Sequence, residues 1–488
     1  MSAGATPDPR VLMALMFWPR GGSAQVVRYL APALGDAGWP VRLVTGSRGP
    51  ADEPGNARSF FAGQDVVPVD FSAALACAER GDDPLDQPVP LHPSFEDRPG
   101  APDRVFAGVD DRLYGRQVDA WVEALGAADA DTVEVLHLHH LTPIAEAANR
   151  LSRPLPTVVH LHGTEMLMLE AIRRGAPFSW AHAEAWDRRM VGWARAAGRL
   201  VVVSPRDRER ATHLFDLDPG QVAVVPHGVD TDVFRPHGLD RTARLDALRR
   251  WLVTEPRGWD ESAREGSIRY HETDLAPLAD ADQPVLLFVG RFTEPKRLPL
   301  LIRAYARARR DHGVRAPLVI WGGHPGEWEG EHPATVAARE RVEGVFFLGW
   351  RGHDELPLGL ACADVLVSPS VGEAFGQVFL EAMAAGLPVV AAADGGPLSF
   401  VDATTDRRNG WLVEPDDEAS LVEALVHAAA DNSERDLRGR NGLEMVRSSY
   451  SWQAAAERIA AIYTEVAESE SNNRVPIRKS VNRVPTVG

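Results

Sequence analysis

Glu373 and Glu381 lie on either side of Phe375-Gly376-Gln377, in a run from Asp364 to Ala392 that reads as strand, loop, helix and strand. An ionised carboxylate only accepts hydrogen bonds, so both glutamates suit the hydroxyls of a sugar or a ribose. The backbone N–H groups of Phe375, Gly376 and Gln377 fall at a helix start, where they lack intrahelical partners and suit phosphate oxygens. Hydroxyl acceptors beside phosphate donors describe a nucleotide sugar. The plainer reading is a Glu373 that decorates a turn and a Glu381 that caps or solvates its helix. A cationic pair, Arg291 and Lys296, follows the apolar run 285–289. Two fixed cations there could neutralise a diphosphate whose charge grows as it departs, which favours the transition state over the ground state. Two solvated surface charges are the alternative.

Histidines form a further group. His160 and His162 end a buried-strand pattern in Thr157-Val-Val-His-Leu-His-Gly-Thr-Glu, and Leu136-His-Leu-His-His adds His137, His139 and His140. Alternating histidines on neighbouring strands could converge on a metal, but no cysteine or clear carboxylate ligand accompanies them. Strand-end histidines lining a cleft are the preferred reading. Gly21, Gly22 and Ser23 join the first strand to the first helix without a Gly-x-Gly-x-x-Gly fingerprint, and a lone glycine pair is most often a turn. Asp230-Thr-Asp232 has the form of an Asp-x-Asp metal motif but sits in a turn-like stretch after His227-Gly-Val. No essential divalent metal and no other cofactor is expected.

These residues need strands to carry them. In the first half, strand patterns at 11–16, 41–45, 66–70, 134–139, 157–162, 200–204 and 222–226 alternate with helical spacing. The second half repeats this with strand patterns at 285–290, 318–321, 345–349, 364–368 and 410–413. Such alternation predicts parallel β-α-β units, an α/β fold with a doubly wound sheet in each half, and ligands past the carboxyl ends of the strands. Residues 77–110, rich in Pro, Asp and Gly, read as a long loop. The stretch 236–282, with Trp251 and Trp259, has no assigned role.

The 488 residues, 44% of them hydrophobic, exceed what one core usually serves and predict two domains. A net charge of −17 argues against a nucleic-acid partner and mildly against anionic lipid, with contact through a local amphipathic face left open. Only Cys77 and Cys362 occur, which offers no disulfide framework and suggests a reducing, cytoplasmic setting. The apolar run 11–18 is too short to span a bilayer and reads as a first strand.

Glu373 and Glu381, with Phe375-Gly376 between them and Ala-Met-Ala-Ala-Gly-Leu-Pro-Val-Val after, resemble the Glu-x7-Glu signature of the retaining group 1 (family four) glycosyltransferases. Gly290-Arg291 with Lys296 is similar to that family's Gly-Arg-x4-Lys motif, and His162-Gly-Thr to its His-Gly-Thr segment. The resemblance implies two facing Rossmann-like domains of the GT-B type. By it, 1–228 is an acceptor-side domain, 229–283 a linker and insert, and 284–450 the nucleotide-sugar donor domain. A helix at 451–466 crosses back to the first domain, whereas 467–488 reads as a flexible tail because it is polar and lacks periodicity. The loop 77–110 is then a candidate acceptor-side element.

The resemblance also implies roles. Arg291 and Lys296 clamp the diphosphate with the amides of Phe375, Gly376 and Gln377. Glu373 contacts the sugar ring, Glu381 the ribose, and His162 the transferred sugar. Gly21, Gly22 and Ser23 face the donor diphosphate or the acceptor. A hexosyl or N-acetylhexosaminyl group would move from a nucleotide sugar, UDP-linked by default, to a hydroxyl of a small-molecule or natural-product acceptor with its configuration retained. In the mechanism generally proposed for such enzymes, the leaving diphosphate helps deprotonate the acceptor on the same face. Mannosyl or glucosyl transfer to a lipid carrier or polysaccharide, a nucleotide-sugar epimerase or hydrolase of the same fold, and a non-catalytic binding protein are the competing readings.

Overall fold

A computed structural model describes residues 8–19, 21–51, 53, 55–97, 102–373 and 375–473. The chain forms two compact units. The first comprises residues up to Val203, Asp207–Val225 and the chain from Ala455; the second comprises Ser204–Arg206 and Pro226–Ala454.

The first unit is built on seven strands: β1 (Val11–Leu15), β2 (Val41–Ser47), β3 (Asp65–Asp70), β4 (Val135–His139), β5 (Thr157–His160), β6 (Arg199–Val202) and β7 (Val222–Val224). They are all parallel, in the order β3-β2-β1-β4-β5-β6-β7. Every side chain of β1 and β4 is buried, as expected of central strands covered on both faces by helices. The winding reverses between β1 and β4, which opens a crevice at their carboxyl ends.

Six strands organise the second unit: β8 (Leu286–Val289), β9 (Leu318–Trp321), β10 (Val345–Gly349), β11 (Val365–Ser368), β12 (Val389–Ala392) and β13 (Gly410–Val413). These too are parallel, in the order β10-β9-β8-β11-β12-β13, and the reversal falls between β8 and β11. The α/β reading with two doubly wound sheets therefore holds.

Three stretches differ from what their composition suggests. Within 77–110, Leu85, Leu91, Phe95, Val105 and Phe106 are buried in the first core, and the Gln117 amide donates to Leu91 O at 2.7 Å. Apolar residues at wide spacing thus tie down a segment that has almost no regular structure; residues 98–101 lie outside the described ones. The segment 229–283 is part of the second unit rather than a separate linker. Trp251 and Trp259 are fully buried there, with Nε1 donating to Glu355 at 2.9 Å and to Gly323 O at 2.8 Å.

The last helix runs Trp452–Asn473, past the expected end at 466. Residues 467–473 are polar but contain neither Gly nor Pro, so nothing breaks the helix. From Ala455 this helix belongs to the first unit, where Tyr463 is buried against Trp39. The rest of the expected tail, 474–488, lies outside the described residues. Among the described residues no helix is long and apolar enough to cross a membrane. Cys362 is buried, and burial pushes its thiol up to about 12.

Candidate functional site

In the second unit the side chains of interest follow the two strands at the reversal. Lys296 ends a short 3-10 turn, Glu294–Lys296, after β8, and Glu373 lies in the loop after β11. Lys296 Nζ meets Glu373 Oε2 at 2.5 Å, each side chain about one-fifth exposed. The two loops are also joined through their backbones, with Val371 N–H donating to Pro295 O at 2.8 Å.

Behind Glu373 stands Gly395-Gly396. The Gly396 N–H donates to Glu373 O at 2.7 Å, and a Cβ at Gly395, whose φ is +67°, would lie 2.2 Å from that oxygen. Only glycine lets the backbones approach this closely. Gly372 N–H donates to Asp394 Oδ2 at 2.6 Å, so Glu373 is held from both sides.

The helix Gln377–Ala384 starts from Gly376 in the left-handed conformation, φ +88°. The N–H groups of Phe375, Gly376 and Gln377 make no hydrogen bond among the described residues, leaving donors at the helix start. The Phe375 ring is buried against His227 and Phe400, so its backbone, not its side chain, is what the loop offers. Gln377 reaches Gly228 O through Nε2 at 2.5 Å.

Glu381 is buried, and its Oε1 lies 3.0 Å from His353 Nε2. His353 sits past the end of β10 and packs edge-on to Phe234. It is absent from the sequence-derived set, although a histidine just beyond a strand's carboxyl end was a usable signal. Arg291 is exposed in the loop after β8. The structure thus brings Lys296 and Glu373 together and gives Glu381 a different partner.

Gly21, Gly22 and Ser23 are in the first unit, at the start of the helix Gly22–Asp36 after β1, with no side-chain cap. His162 follows β5, and its Nε2 lies 2.9 Å from His139 Nδ1. Because His139 is in register with His160 and two residues from His137, these rings share one sheet face. They stack with centroids 4.7 to 5.6 Å apart, and His137 Nδ1 ends the column 2.5 Å from the Tyr463 hydroxyl. Ligand nitrogens of His137, His139 and His160 all lie within 4.8 Å of one another. Their rings are within 22° of parallel, so the in-plane lone pairs do not converge, and a tetrahedral metal would require a ring to turn. Asp230 Oδ1 accepts from the N–H of Asp232 and of Val233, as a turn-forming side chain does.

Glu165 anchors the loop that carries His162. It is fully buried and accepts from His162 N–H at 2.9 Å and Thr164 Oγ1 at 3.1 Å, with His140 Nδ1 at 3.3 Å. Burial alone would raise its pKa; the His140 charge and these hydrogen bonds outweigh it and leave the carboxyl below its ordinary value. Glu165 was legible in His-Gly-Thr-Glu, but its inward direction was not.

Burial lowers His160 to about 4, the neighbouring Glu165 opposing the shift and His140 adding to it; burial, with His160 adding to it, also holds His137 well below its ordinary value. Both are neutral in the fold at pH 7 and near 6.5 when unfolded. Between these values the unfolded chain binds more protons, so stability is lost as pH falls from 6.5 towards 4. His160 alone accounts for roughly 3 kcal/mol. The urea midpoint of the wild type is expected to fall steeply across this window, and that of His160→Gln less steeply; equal slopes would refute the assignment.

A family model described as "Glycosyltransferase Family 4" matches residues 20–233, and one described as "Glycosyl transferases group 1" matches 283–431. A D-inositol 3-phosphate glycosyltransferase of a Nocardioides species is 27% identical over 87% of this chain and 89% of its own. The enzyme of the same name from Corynebacterium aurimucosum is 32% identical over 56% of this chain and 58% of its own, so the chain spans little more than half of that relative. Among solved structures, Thermosynechococcus elongatus sucrose-phosphate synthase superposes with a TM-score of 0.61 at 22% identity, covering 94% of this chain and 100% of that one. Anabaena HepE in complex with UDP and glucose gives 0.62 at 18%, covering 93% and 99%. The structural likenesses establish the fold; the two family models, fitting the two halves in chain order, establish the rest. The chain belongs to the group 1 (family four) glycosyltransferases and is an enzyme of that class on a two-domain, Rossmann-like GT-B fold.

Proposed function

We propose that the enzyme moves a hexosyl or N-acetylhexosaminyl group from a UDP-linked sugar to a hydroxyl of a small acceptor, with retention of configuration and no essential divalent metal. The observation that carries this reading is the contact of Lys296 with Glu373 where the second sheet reverses, beside unpaired helix-start amides. Lys296 and Arg291 then take up the growing diphosphate charge with the amides of Phe375, Gly376 and Gln377. Glu373, released from Lys296 as the phosphates arrive, accepts from sugar hydroxyls. Glu381, held by His353, accepts from the ribose.

In the first unit, His162 has its backbone fixed by Glu165 and its ring by His139, which suits it to orient the transferred sugar. Gly21, Gly22 and Ser23 offer backbone donors to diphosphate or acceptor. UDP as carrier agrees with the ligand named for HepE, and a phosphorylated polyol acceptor with the relatives named for D-inositol 3-phosphate. A reducing, cytoplasmic setting fits the two free thiols.

The test is turnover in chelator with UDP-glucose or UDP-N-acetylglucosamine and an inositol phosphate acceptor. Mass analysis should show one added sugar, and the anomeric proton coupling an α-linkage. A β-linked product, a metal requirement, or sugar release without any acceptor would sink the respective part of the proposal.

A further inference from the structure

A cavity of about 420 Å³ opens in the second unit at the amino ends of β8 and β11, lined by Arg241, Arg244, Asp282, Gln283, Asp364 and Arg435. Asp364 directly precedes β11 and Gln283 lies just before β8, so the length of a strand, roughly 13 Å, separates this cavity from the loops of Lys296 and Glu373. It belongs to a different end of the sheet from the candidate donor site.

The cavity is largely a product of the 236–282 segment, which the donor-site reading leaves unused. The helix Arg241–Arg249, capped by the Asp240 side chain, places Arg241 and Arg244 one turn apart on one face. Arg435 comes from the first turn of the helix Asn432–Ser449, where the helix dipole disfavours a cation. Three guanidinium groups thus gather at a helix start, which is already positive.

Two carboxylates line the cavity with them, and Asp280, Asp431 and Asp436 act on Arg241 or Arg435 from nearby. Asp364 has both oxygens engaged, Oδ1 by Arg244 Nη1 and Oδ2 by Val285 N–H, each at 2.7 Å. Asp282 is exposed to water. Arg241 finds a main-chain acceptor, Asp280 O, and Arg435 donates to Ala428 O, Ala429 O and Asn432 Oδ1. Among the described residues, the Nε atoms of both Arg241 and Arg244 are enclosed and have no hydrogen-bond acceptor. Burial lowers the pKa of Arg241 even against the pull of Asp364 and Asp280, and that of Arg435 even against Asp364, Asp436 and Asp431, so desolvation of these cations outweighs the counter-charge within reach.

We propose that this cavity binds a small phosphate-bearing molecule, its phosphate held by Arg241, Arg244 and Arg435. Guanidinium forks match phosphate oxygens two at a time, and a tetrahedral dianion supplies hydrogen-bond acceptors to guanidinium groups that burial has stripped of water. The volume is in the range of small-ligand sites and exceeds what a bare phosphate fills.

Calorimetric titration of the whole protein with glycerol 3-phosphate tests this. Arg241→Gln should weaken binding about tenfold or more, the loss of one charge-assisted contact. Gln283→Glu keeps every arginine in place but adds a negative charge to the wall, and should weaken binding comparably. Lys296→Ala, which removes a cation of the candidate donor site, should leave the affinity unchanged. No binding to the wild type, unchanged affinity in Arg241→Gln and Gln283→Glu, or loss of binding in Lys296→Ala would each overturn the proposal. None of these outcomes depends on which sugar the enzyme transfers.

Discussion

Replacing Lys296 with alanine is expected to cut kcat by about 10²–10³, the cost of removing one preorganised group aimed at developing charge, equal to roughly 2.7–4 kcal/mol. In the free enzyme Lys296 is neutralised by Glu373 at 2.5 Å, so part of its field is spent until a diphosphate competes for it. As the bond to the sugar breaks, charge accumulates on the diphosphate, and the cation is worth most at that moment. The effect should therefore fall on kcat and kcat/KM together. Arginine is not an equivalent replacement, because its planar fork cannot follow the point-charge geometry of an ammonium. Steady-state kinetics with saturating acceptor decide the matter. A rise in KM at constant kcat would mean that Lys296 binds ground and transition states alike.

Glu165→Ala should destabilise the first unit by about 1–3 kcal/mol or more, the cost of taking the acceptor from buried hydrogen-bond donors. The variant loses three contacts at once, among them the acceptor of the His162 N–H and the carboxylate beside His140. Glu165→Gln keeps an oxygen for the His162 N–H and should cost distinctly less. Urea midpoints of both variants give the comparison; equal midpoints would show that the hydrogen bond kept by glutamine contributes nothing there. Because the same residue fixes the His162 loop, activity is expected to fall in Glu165→Ala even where the protein remains folded.

How far the sequence reaches is clear from particular elements. The run 364–392 could be read correctly because its strands are short apolar runs, its helix has helical spacing, and Gly386-Leu-Pro388 marks the stop; the structure places β11, the helix Gln377–Ala384 and β12 there. Lys296 and Glu373 belonged together only through a family resemblance, since their contact depends on β8 and β11 being neighbours, which no local pattern encodes. His353 as the partner of Glu381 was hidden for the same reason.

Composition misled where polarity was taken for absence of structure. The last helix continues through Glu468, Ser469 and beyond, and residues 77–110 are anchored by a few widely spaced apolar side chains. The arginine-lined cavity could not be seen at all, because Arg244, Asp364 and Arg435 meet only once three distant segments pack.

Whether the second unit holds the nucleotide of the donor is decided by thermal unfolding with saturating UDP, GDP or ADP, repeated on Glu381→Ala and Arg291→Ala. A ligand that binds only the folded state at about a hundred times its dissociation constant adds roughly 2.7 kcal/mol, a readily measured rise in Tm. UDP is expected to raise the wild-type Tm, and both substitutions to abolish the rise. A wild-type Tm indifferent to all three nucleotides, or a full UDP shift retained in Glu381→Ala, would contradict that placement.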